Sequence, residues 1–148
     1  MMAGIRGKNT KPEIKVRKAL HKLGFRFGRT NARLPGKPDI ILPRWKVAVF
    51  VNGCFWHWHG CQLSKLPTSS EDFWLAKLSA NRERDARVLT QLRESGWRVV
   101  TIWECALRGK HTDDTLNAEM LGLTQWIRER SDEKTYVVPV VRRLDQKK

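Results

Sequence analysis

Two short apolar runs separated by a turn constrain the fold of this chain more than any other feature of its sequence. The first run is Asp39 to Leu42, the second is Val47 to Val51, and Pro43 and Arg44 form the turn between them. Both runs are nearly continuous in β-branched or large apolar residues, as is typical of strands buried on both faces. The sequence therefore predicts a central β-hairpin.

Helical patterns flank this hairpin on both sides. A capping box from Thr10 to Glu13 begins a first helix that Gly24 can end. Ser70, followed by two acidic residues, begins a second helix that runs to about Ser95 before Gly96. Leucine, methionine and isoleucine at helical spacing predict a third helix over residues 113–128.

Further strands complete the predicted sheet. They are a short strand at Phe25 to Phe27, a strand from Trp97 to Trp103 and an edge strand at Val137 to Val141. We therefore expect an α/β fold, a central mixed sheet flanked by helices, in one domain over residues 1–148. Residues 1–9 would form an N-terminal arm and residues 130–148 a C-terminal tail.

Charge narrows the choice of partner. Lysine and arginine number 29 against 15 acidic residues, which gives a net charge of +14 and favours a polyanion such as nucleic acid. A basic but merely soluble protein is the alternative. We expect no membrane contact and a cytoplasmic location, because no apolar run approaches the ~18 residues of a membrane span and no signal segment is present.

The cysteines suggest a metal site. The chain has three of them, Cys54, Cys61 and Cys105, and His59 lies between the first two. Zinc commonly takes three cysteines and one histidine in closed structural sites. The alternatives are that the cysteines are small buried hydrophobes, or that His57 replaces His59 as a ligand.

A single carboxylate precedes the hairpin. Pro38-Asp39 matches the first half of a nuclease motif that holds a metal with acids on two neighbouring strands, but no acidic residue occurs between Asp39 and Glu71. A cation at Asp39 would therefore rely on neutral ligands, which Mg²⁺ tolerates because it keeps several waters. Alternatively, Asp39 simply ends a turn.

Aromatic residues and a histidine follow the hairpin. His57 could transfer protons near neutral pH, or it could be a histidine packed between Trp56 and Trp58. Phe55, Trp56 and Trp74 could wedge between base steps of DNA, or they could fill the core.

Several runs together resemble the very-short-patch repair (Vsr) endonucleases, over roughly residues 5–128. They are Leu34 to Asp39, Val49 to His57, Phe73-Trp74, Asn81 to Asp85, and Gly96 to Val99 continuing through Trp103 to Gly109. The resemblance implies a restriction-endonuclease-like fold with a structural zinc ion. It also implies a bacterial enzyme, used at the nucleoid, that makes a Mg²⁺-dependent nick on the 5′ side of the thymine in a T·G mismatch. Such mismatches arise when 5-methylcytosine deaminates.

The resemblance also implies a role for individual residues. Asp39 would bind Mg²⁺ with the main-chain carbonyl of Val51, His57 would be the general acid/base, and Glu13 would assist beside the waters of the metal. The implied zinc ligands are Cys54, His59, Cys61 and Cys105. The implied DNA-binding residues are Phe55, Trp56, Trp74, Lys77 and Asn81. A monomer would suffice, acting with a cytosine-5 DNA methylase and a repair polymerase.

The sequence departs from the family pattern at three places. Val51 stands where relatives can carry threonine, which matters little if only its carbonyl is used. Asn52 stands where a histidine is frequent, so a second catalytic imidazole is missing. The N-terminal arm looks shortened, with Met2 near its expected end.

Two other functions remain open at this point. One is a zinc-stabilised, non-catalytic module that recognises distorted duplex. The other is a restriction endonuclease that cuts both strands of undamaged DNA, although the missing second carboxylate and the wedge aromatics count against it.

Overall fold

The computed structural model describes residues 11–27, 34–57, 69–107, 113–130 and 132–138. Within these ranges the chain forms three α-helices and four β-strands. The helices are α1 (Lys11–Lys22), α2 (Glu71–Glu94) and α3 (Asp113–Arg128), and the strands are β1 (Ile40–Leu42), β2 (Val47–Asn52), β3 (Arg98–Trp103) and β4 (Thr135–Val138). Short 3₁₀ turns at Pro43–Trp45 and Glu104–Leu107 follow β1 and β3.

The four strands form one mixed sheet in the order β1-β2-β3-β4. β1 pairs antiparallel with β2, with Ile40 opposite Val49, which confirms the predicted hairpin. β2 pairs in parallel with β3, and β3 in parallel with β4. Parallel neighbours need a crossover connection, and α2 and α3 occupy the two crossovers. The predicted mixed sheet flanked by helices is confirmed.

Alternate residues of the strands enter two apolar layers. Val47, Val49, Val100 and Ile102 belong to a large core that also contains buried residues of α1 and α3. Ala48 and Val99 face the other way and pack with Leu92 of α2. The predicted inward positions of α3 are all buried, namely Leu116, Met120, Leu123 and Ile127.

Helices α1 and α2 end next to Gly24 and Gly96, as predicted. The end of α1 explains why the strand predicted at Phe25 to Phe27 does not form. Gly24 has φ +97° and its N–H donates to the His21 carbonyl, while the Phe25 N–H donates to the Leu20 carbonyl at 3.1 Å. This pattern is a Schellman motif. Phe25 is buried and provides the apolar contact of this motif. Residues Phe25 to Phe27 therefore belong to the helix end and form no strand.

Two other boundaries differ from expectation. Ser70 has φ 60° and makes no side-chain cap, so α2 begins at Glu71 with the predicted acids in its first turn. β4 occupies Thr135–Val138 at the sheet edge, earlier than predicted, and it belongs to the segment expected to be a tail. Thr10, the N-terminal arm and residues 139–148 lie outside the described residues. Among the described helices, none has the length and hydropathy that crossing a bilayer requires.

Candidate active site

Asp39 lies immediately before β1, beside the end of β2. Its N–H donates to the Val49 carbonyl at 3.0 Å, and its Oδ2 accepts the Val51 N–H at 2.7 Å. In a strand, the N–H and C=O of one residue point to the same side. The Val51 carbonyl is therefore directed toward the Asp39 side of β2, so two oxygen groups of the kind that can bind a cation lie on the same side of the strand.

Burial and neighbouring charge perturb the Asp39 carboxyl. The pKa of Asp39 is raised from 3.8 to about 6. Burial is the largest cause; the Val51 N–H opposes it, the Glu13 carboxylate adds to it, and His57 and Arg17 lower the pKa. Glu13 is itself only 2% exposed and pairs with Arg17 at 2.6 Å. The three side chains predicted to be catalytic, Asp39, His57 and Glu13, are therefore close enough to interact electrostatically.

The raised pKa predicts a stability difference. A carboxyl whose folded pKa exceeds its unfolded value favours folding below the unfolded pKa and loses that contribution as pH rises through the folded pKa. At pH 8 without added divalent metal, Asp39→Asn should therefore unfold with a free energy about 3 kcal/mol higher than the wild type. The gain should shrink through pH 6 and vanish below about pH 4. Urea unfolding at several pH values measures it, and a pH-independent difference would contradict the prediction.

His57 is held by a carboxylate that the sequence analysis did not single out. Its Nδ1 lies 2.6 Å from Oδ2 of Asp85 on α2. The His57 ring packs edge-on against Trp103, with ring centroids 6.3 Å apart. The backbone N–H of His57 donates to the Gly53 carbonyl. Because an ionised carboxylate only accepts, the bond places a proton on Nδ1 and leaves Nε2 for proton transfer. In the sequence, Asp85 was indicated only as the last residue of Asn81 to Asp85, one of the runs that carry the resemblance to the Vsr endonucleases.

An aromatic cluster lies next to His57 in the chain. Phe55, Trp56 and Trp74 contact one another with centroid separations of 5.0, 5.4 and 5.9 Å, all near edge-to-face. All three are half-buried. Phe73, which is 59% exposed, packs on Trp74 at 5.2 Å and extends the cluster outward. The predicted wedge residues therefore form one group with an open side.

One face of α2 fixes the segment that carries both the cluster and the histidine. Asn81 donates through Nδ2 to the Trp56 carbonyl at 3.0 Å, and Asp85, one turn later, holds His57. Arg84 in turn donates to Oδ1 of Asn81 at 3.0 Å. Lys77, also predicted to contact DNA, is exposed on the same helix. Asn81 thus has a clear internal role in addition to the predicted one.

Two of the four predicted zinc ligands meet in the structure. Cys54 is fully buried, and its Sγ accepts the Cys105 N–H at 3.3 Å. The Cys54 N–H donates to Oε1 of Glu104 at 3.4 Å. His59 and Cys61 lie outside the described residues, within which no group of three or more metal-ligating side chains occurs. The Cys54 thiol and the Cys105 backbone are therefore neighbours, which brings two of the four predicted ligand residues to one place.

A cavity of about 400 Å³ opens between α2 and the sheet beside His57. Asn52, Trp103 and Asp85 line it together with His57 and the exposed Arg82. Asn52 therefore faces the histidine side of the site, so its amide replaces the imidazole that the family pattern favours there. The site combines a carboxylate, an oriented histidine and aromatic groups at one end of the sheet.

Comparison with known proteins agrees with this chemistry. The family described as DNA mismatch endonuclease Vsr matches residues 1–63. The type II nicking enzyme V.XorIIP of Xanthomonas oryzae pv. oryzae is 48% identical over 107 residues, which is 72% of this chain and 79% of that protein. V.NmeAIP of Neisseria meningitidis, also a type II nicking enzyme, is 46% identical over 110 residues, 74% of this chain and 79% of its own length.

The resemblance extends to a mismatch-repair enzyme by name. DNA mismatch endonuclease Vsr of Escherichia coli K12 is 41% identical over 128 residues, covering 85% of this chain and 80% of that protein. The identity extends over most of both chains. The chain is a DNA endonuclease and belongs to the Vsr family of DNA mismatch endonucleases.

Proposed function

We propose that the protein nicks one strand of duplex DNA on the 5′ side of the thymine in a T·G mismatch, in a Mg²⁺-dependent reaction. The observation that carries the proposal is the meeting of Asp39 with the His57–Asp85 pair at the end of the sheet where the aromatic cluster lies. Relatives named as nicking enzymes support a cut in one strand. A cytosine-5 methylase would create the substrate, and a repair polymerase would act on the nick.

The ligands around Asp39 fit a hard cation such as Mg²⁺. Oδ2 accepts the Val51 N–H, whereas Oδ1 accepts no hydrogen bond from the described residues. A carboxylate with a neutral carbonyl, phosphate oxygens and water forms the all-oxygen environment that Mg²⁺ prefers. When bound, the metal would stabilise the developing charge on the phosphate and lower the pKa of a water. Burial of Asp39 favours cation binding, because the cation offsets the cost of the buried charge.

His57 would supply the proton transfer at Nε2. Asp85 fixes the tautomer and the ring orientation, as the carboxylate partner of a catalytic histidine does in hydrolases. Glu13, buried and paired with Arg17, adds negative charge near Asp39 and would assist by accepting hydrogen bonds from water there. Among the described residues, His57 is the one histidine at this place, and the Asn52 amide beside it does not accept a proton at neutral pH.

The aromatic cluster would recognise the damage. Aromatic side chains inserted between base steps cost a few kcal/mol of unstacking, and a mispaired step resists least. Phe55, Trp56 and Trp74 already contact one another, and Phe73 borders their open side. A mismatch would therefore be selected by the ease with which its step opens.

The internal bond of Asn81 predicts a defect in catalysis. Asn81→Ala should lower the single-turnover nicking rate roughly five- to tenfold, because the Trp56–His57 segment loses a hydrogen bond worth about 1 kcal/mol. The matched control is Arg84→Ala, which removes only the outer partner of Asn81 and should have a smaller effect. Equal rates for wild type and Asn81→Ala at saturating DNA would contradict the positioning role.

We further propose that Cys54, His59, Cys61 and Cys105 hold a structural zinc ion. Support comes from the buried contact of Cys54 with the Cys105 backbone and from the tetrahedral sulfur and nitrogen sets that zinc prefers. Such an ion would connect the segment after β2 to the turn after β3. It would thereby stabilise the segment that carries His57.

Substitution of His59 and substitution of His57 should differ in their effect on the zinc content of the protein. The wild type should contain one zinc per chain by elemental analysis, whereas Cys61→Ser and His59→Ala should lose it together with several kcal/mol of stability. His57→Ala should retain the metal. Loss of zinc in His57→Ala and its retention in His59→Ala would exchange the roles of the two residues.

The proposed specificity is tested with a panel of duplexes that differ in one base pair. The panel holds a T·G, a C·A or an A·G mismatch, or full pairing, in the target contexts of several cytosine methylases. We expect Mg²⁺-dependent cleavage of T·G duplexes only, in one context. Tight binding of T·G duplexes without cleavage in any context would instead indicate a non-catalytic recognition module.

A further inference from the structure

A cluster of cations lies at the end of the sheet opposite to the active site. The active site occupies the end where β2 finishes at Asn52, whereas Arg44, Trp45 and Lys46 precede β2 at the other end. Arg128 and Arg130, at the end of α3, reach the same place. We name Arg44, Trp45, Lys46, Arg128 and Arg130 the distal arginine cluster. The six residues of β2 separate it from the active site by roughly 17 Å.

The cluster is organised by aromatic rings. The guanidinium groups of Arg44 and Arg130 lie over the Trp45 ring, 5.1 and 4.8 Å from its centroid. Phe25 packs edge-on against Trp45 at 6.3 Å, and Arg128 lies over Phe25 at 5.0 Å while donating to the Leu23 carbonyl. A stacked guanidinium keeps its planar N–H edge for bidentate contacts with phosphate or carboxylate.

The cationic groups of the cluster have no anionic partner within the chain as described. Among the described residues, none of the four cationic members forms an ion pair, and Glu129 between two of them accepts from Gln125 instead. Burial lowers the pKa of the neighbouring Arg98, and the positive charge of Arg130 lowers it further, so Arg130 lies close to another cation. Arginine and lysine side chains that form no ion pair remain able to bind an external anion.

Backbone conformation adds an independent observation. Lys46 and Arg130 both have φ 53°, in the left-handed region that favours glycine. A cationic side chain at each of these positions costs on the order of 1 kcal/mol relative to glycine. Both residues follow the end of a helical segment, where the left-handed conformation is common, and each places a cationic side chain where glycine is usual.

The composition of the surface favours DNA over protein. None of the exposed large hydrophobic residues of the described chain, Ile14, Phe73, Leu121 and Val137, is a member of the cluster, and its aromatic member Trp45 lies under two guanidinium groups. Phosphate contacts need only cations and donors. We propose that the distal arginine cluster binds the phosphate backbone of a second DNA segment while the active site holds the mismatch. The two surfaces lie at opposite ends of β2, which leaves the cluster available to a separate duplex.

The test measures the binding of a second duplex. Full-length protein with Asp39→Asn, which prevents cleavage, is saturated with a short T·G duplex, and a labelled, fully paired duplex is then added at several salt concentrations. The labelled duplex should bind with an affinity that falls steeply with salt. Adding Arg44→Gln and Arg130→Gln should weaken this second binding at least tenfold and reduce the salt slope by about two, because two phosphate contacts are lost.

A matched variant tests whether second-duplex binding depends on the charges of the distal arginine cluster or only on the total charge of the protein. Lys18→Gln with Arg87→Gln removes the same charge from exposed positions of α1 and α2 and should leave the second binding within about twofold. Unchanged affinity of the distal variant for the T·G duplex shows that it is folded. The proposal is overturned if no second duplex binds at low salt, or if both double variants weaken it equally. It is also overturned if poly-glutamate displaces the second duplex while binding far more tightly, which would indicate an acidic protein partner.

Discussion

Asp39→Asn is expected to lower the nicking rate by ~10³-fold or more while changing affinity for T·G duplex by no more than a few fold. The substitution keeps an acceptor for the Val51 N–H but removes the carboxylate, immediately before β1, that is proposed to bind the cation. Loss of a catalytic cation removes several kcal/mol of transition-state stabilisation, and ~10³-fold corresponds to about 4 kcal/mol. Single-turnover nicking and equilibrium binding, measured on one preparation, separate the two effects.

Asp39→Asn is also expected to have a higher free energy of unfolding than the wild type at pH 8, and measuring it shows whether the variant is folded. If Asp39→Asn is more stable than the wild type at pH 8 and still fails to nick, misfolding cannot explain the defect. Glu13→Gln offers a comparison at the same end of the sheet, where we expect a smaller loss because Glu13 pairs with Arg17. Wild-type nicking by Asp39→Asn in Mg²⁺ would show that the cation is held elsewhere.

His57→Ala is expected to have the second largest effect, a loss of roughly 10²- to 10⁴-fold in nicking rate, as for other general acid/base residues. Asp85→Asn should cause a substantial part of this loss, because an amide partner no longer imposes the tautomer with Nε2 free. The pH profile provides the distinguishing readout. The profile of His57→Ala should differ from that of the wild type, because the group that transfers the proton is lost.

A control histidine tests whether the effect is specific. His21, at the end of α1, contacts Arg26 and lies at the other end of the helix from Glu13, so His21→Ala should nick at the wild-type rate. If His57→Ala retains the activity and pH profile of the wild type, a different residue transfers the proton. Asn52 would then be the first candidate for a positioning role, because it lines the same cavity.

The fold was predictable where the sequence pattern is determined by burial. The hairpin of β1 and β2 and the inward face of α3 follow from apolar runs and helical spacing, and the structure confirms both. The error at Phe25 to Phe27 arose because an aromatic residue after a glycine cap has the composition of a strand. Its backbone N–H is used by the helix end, which a local pattern cannot reveal.

The site was predictable in its residue types but not in its contacts. Asp39, His57 and the wedge aromatics are named by motif, whereas the His57–Asp85 bond joins residues 28 positions apart and depends on how α2 lies on the sheet. The raised pKa of Asp39 likewise depends on burial that becomes visible only in three dimensions. Asn81 was predicted to approach DNA, and its bond to the Trp56 carbonyl was not foreseen.

The proposed function requires a cut in one strand only, next to the mispaired thymine. A T·G duplex carrying a different fluorescent label on each strand is incubated with the protein and Mg²⁺, and the products are separated under denaturing and native conditions. We predict one nick, in the thymine strand only, on the 5′ side of the mispaired thymine, with the duplex intact under native conditions and no cut in the matched T·A duplex. Cleavage of both strands, or equal cleavage of the T·A duplex, would contradict the account.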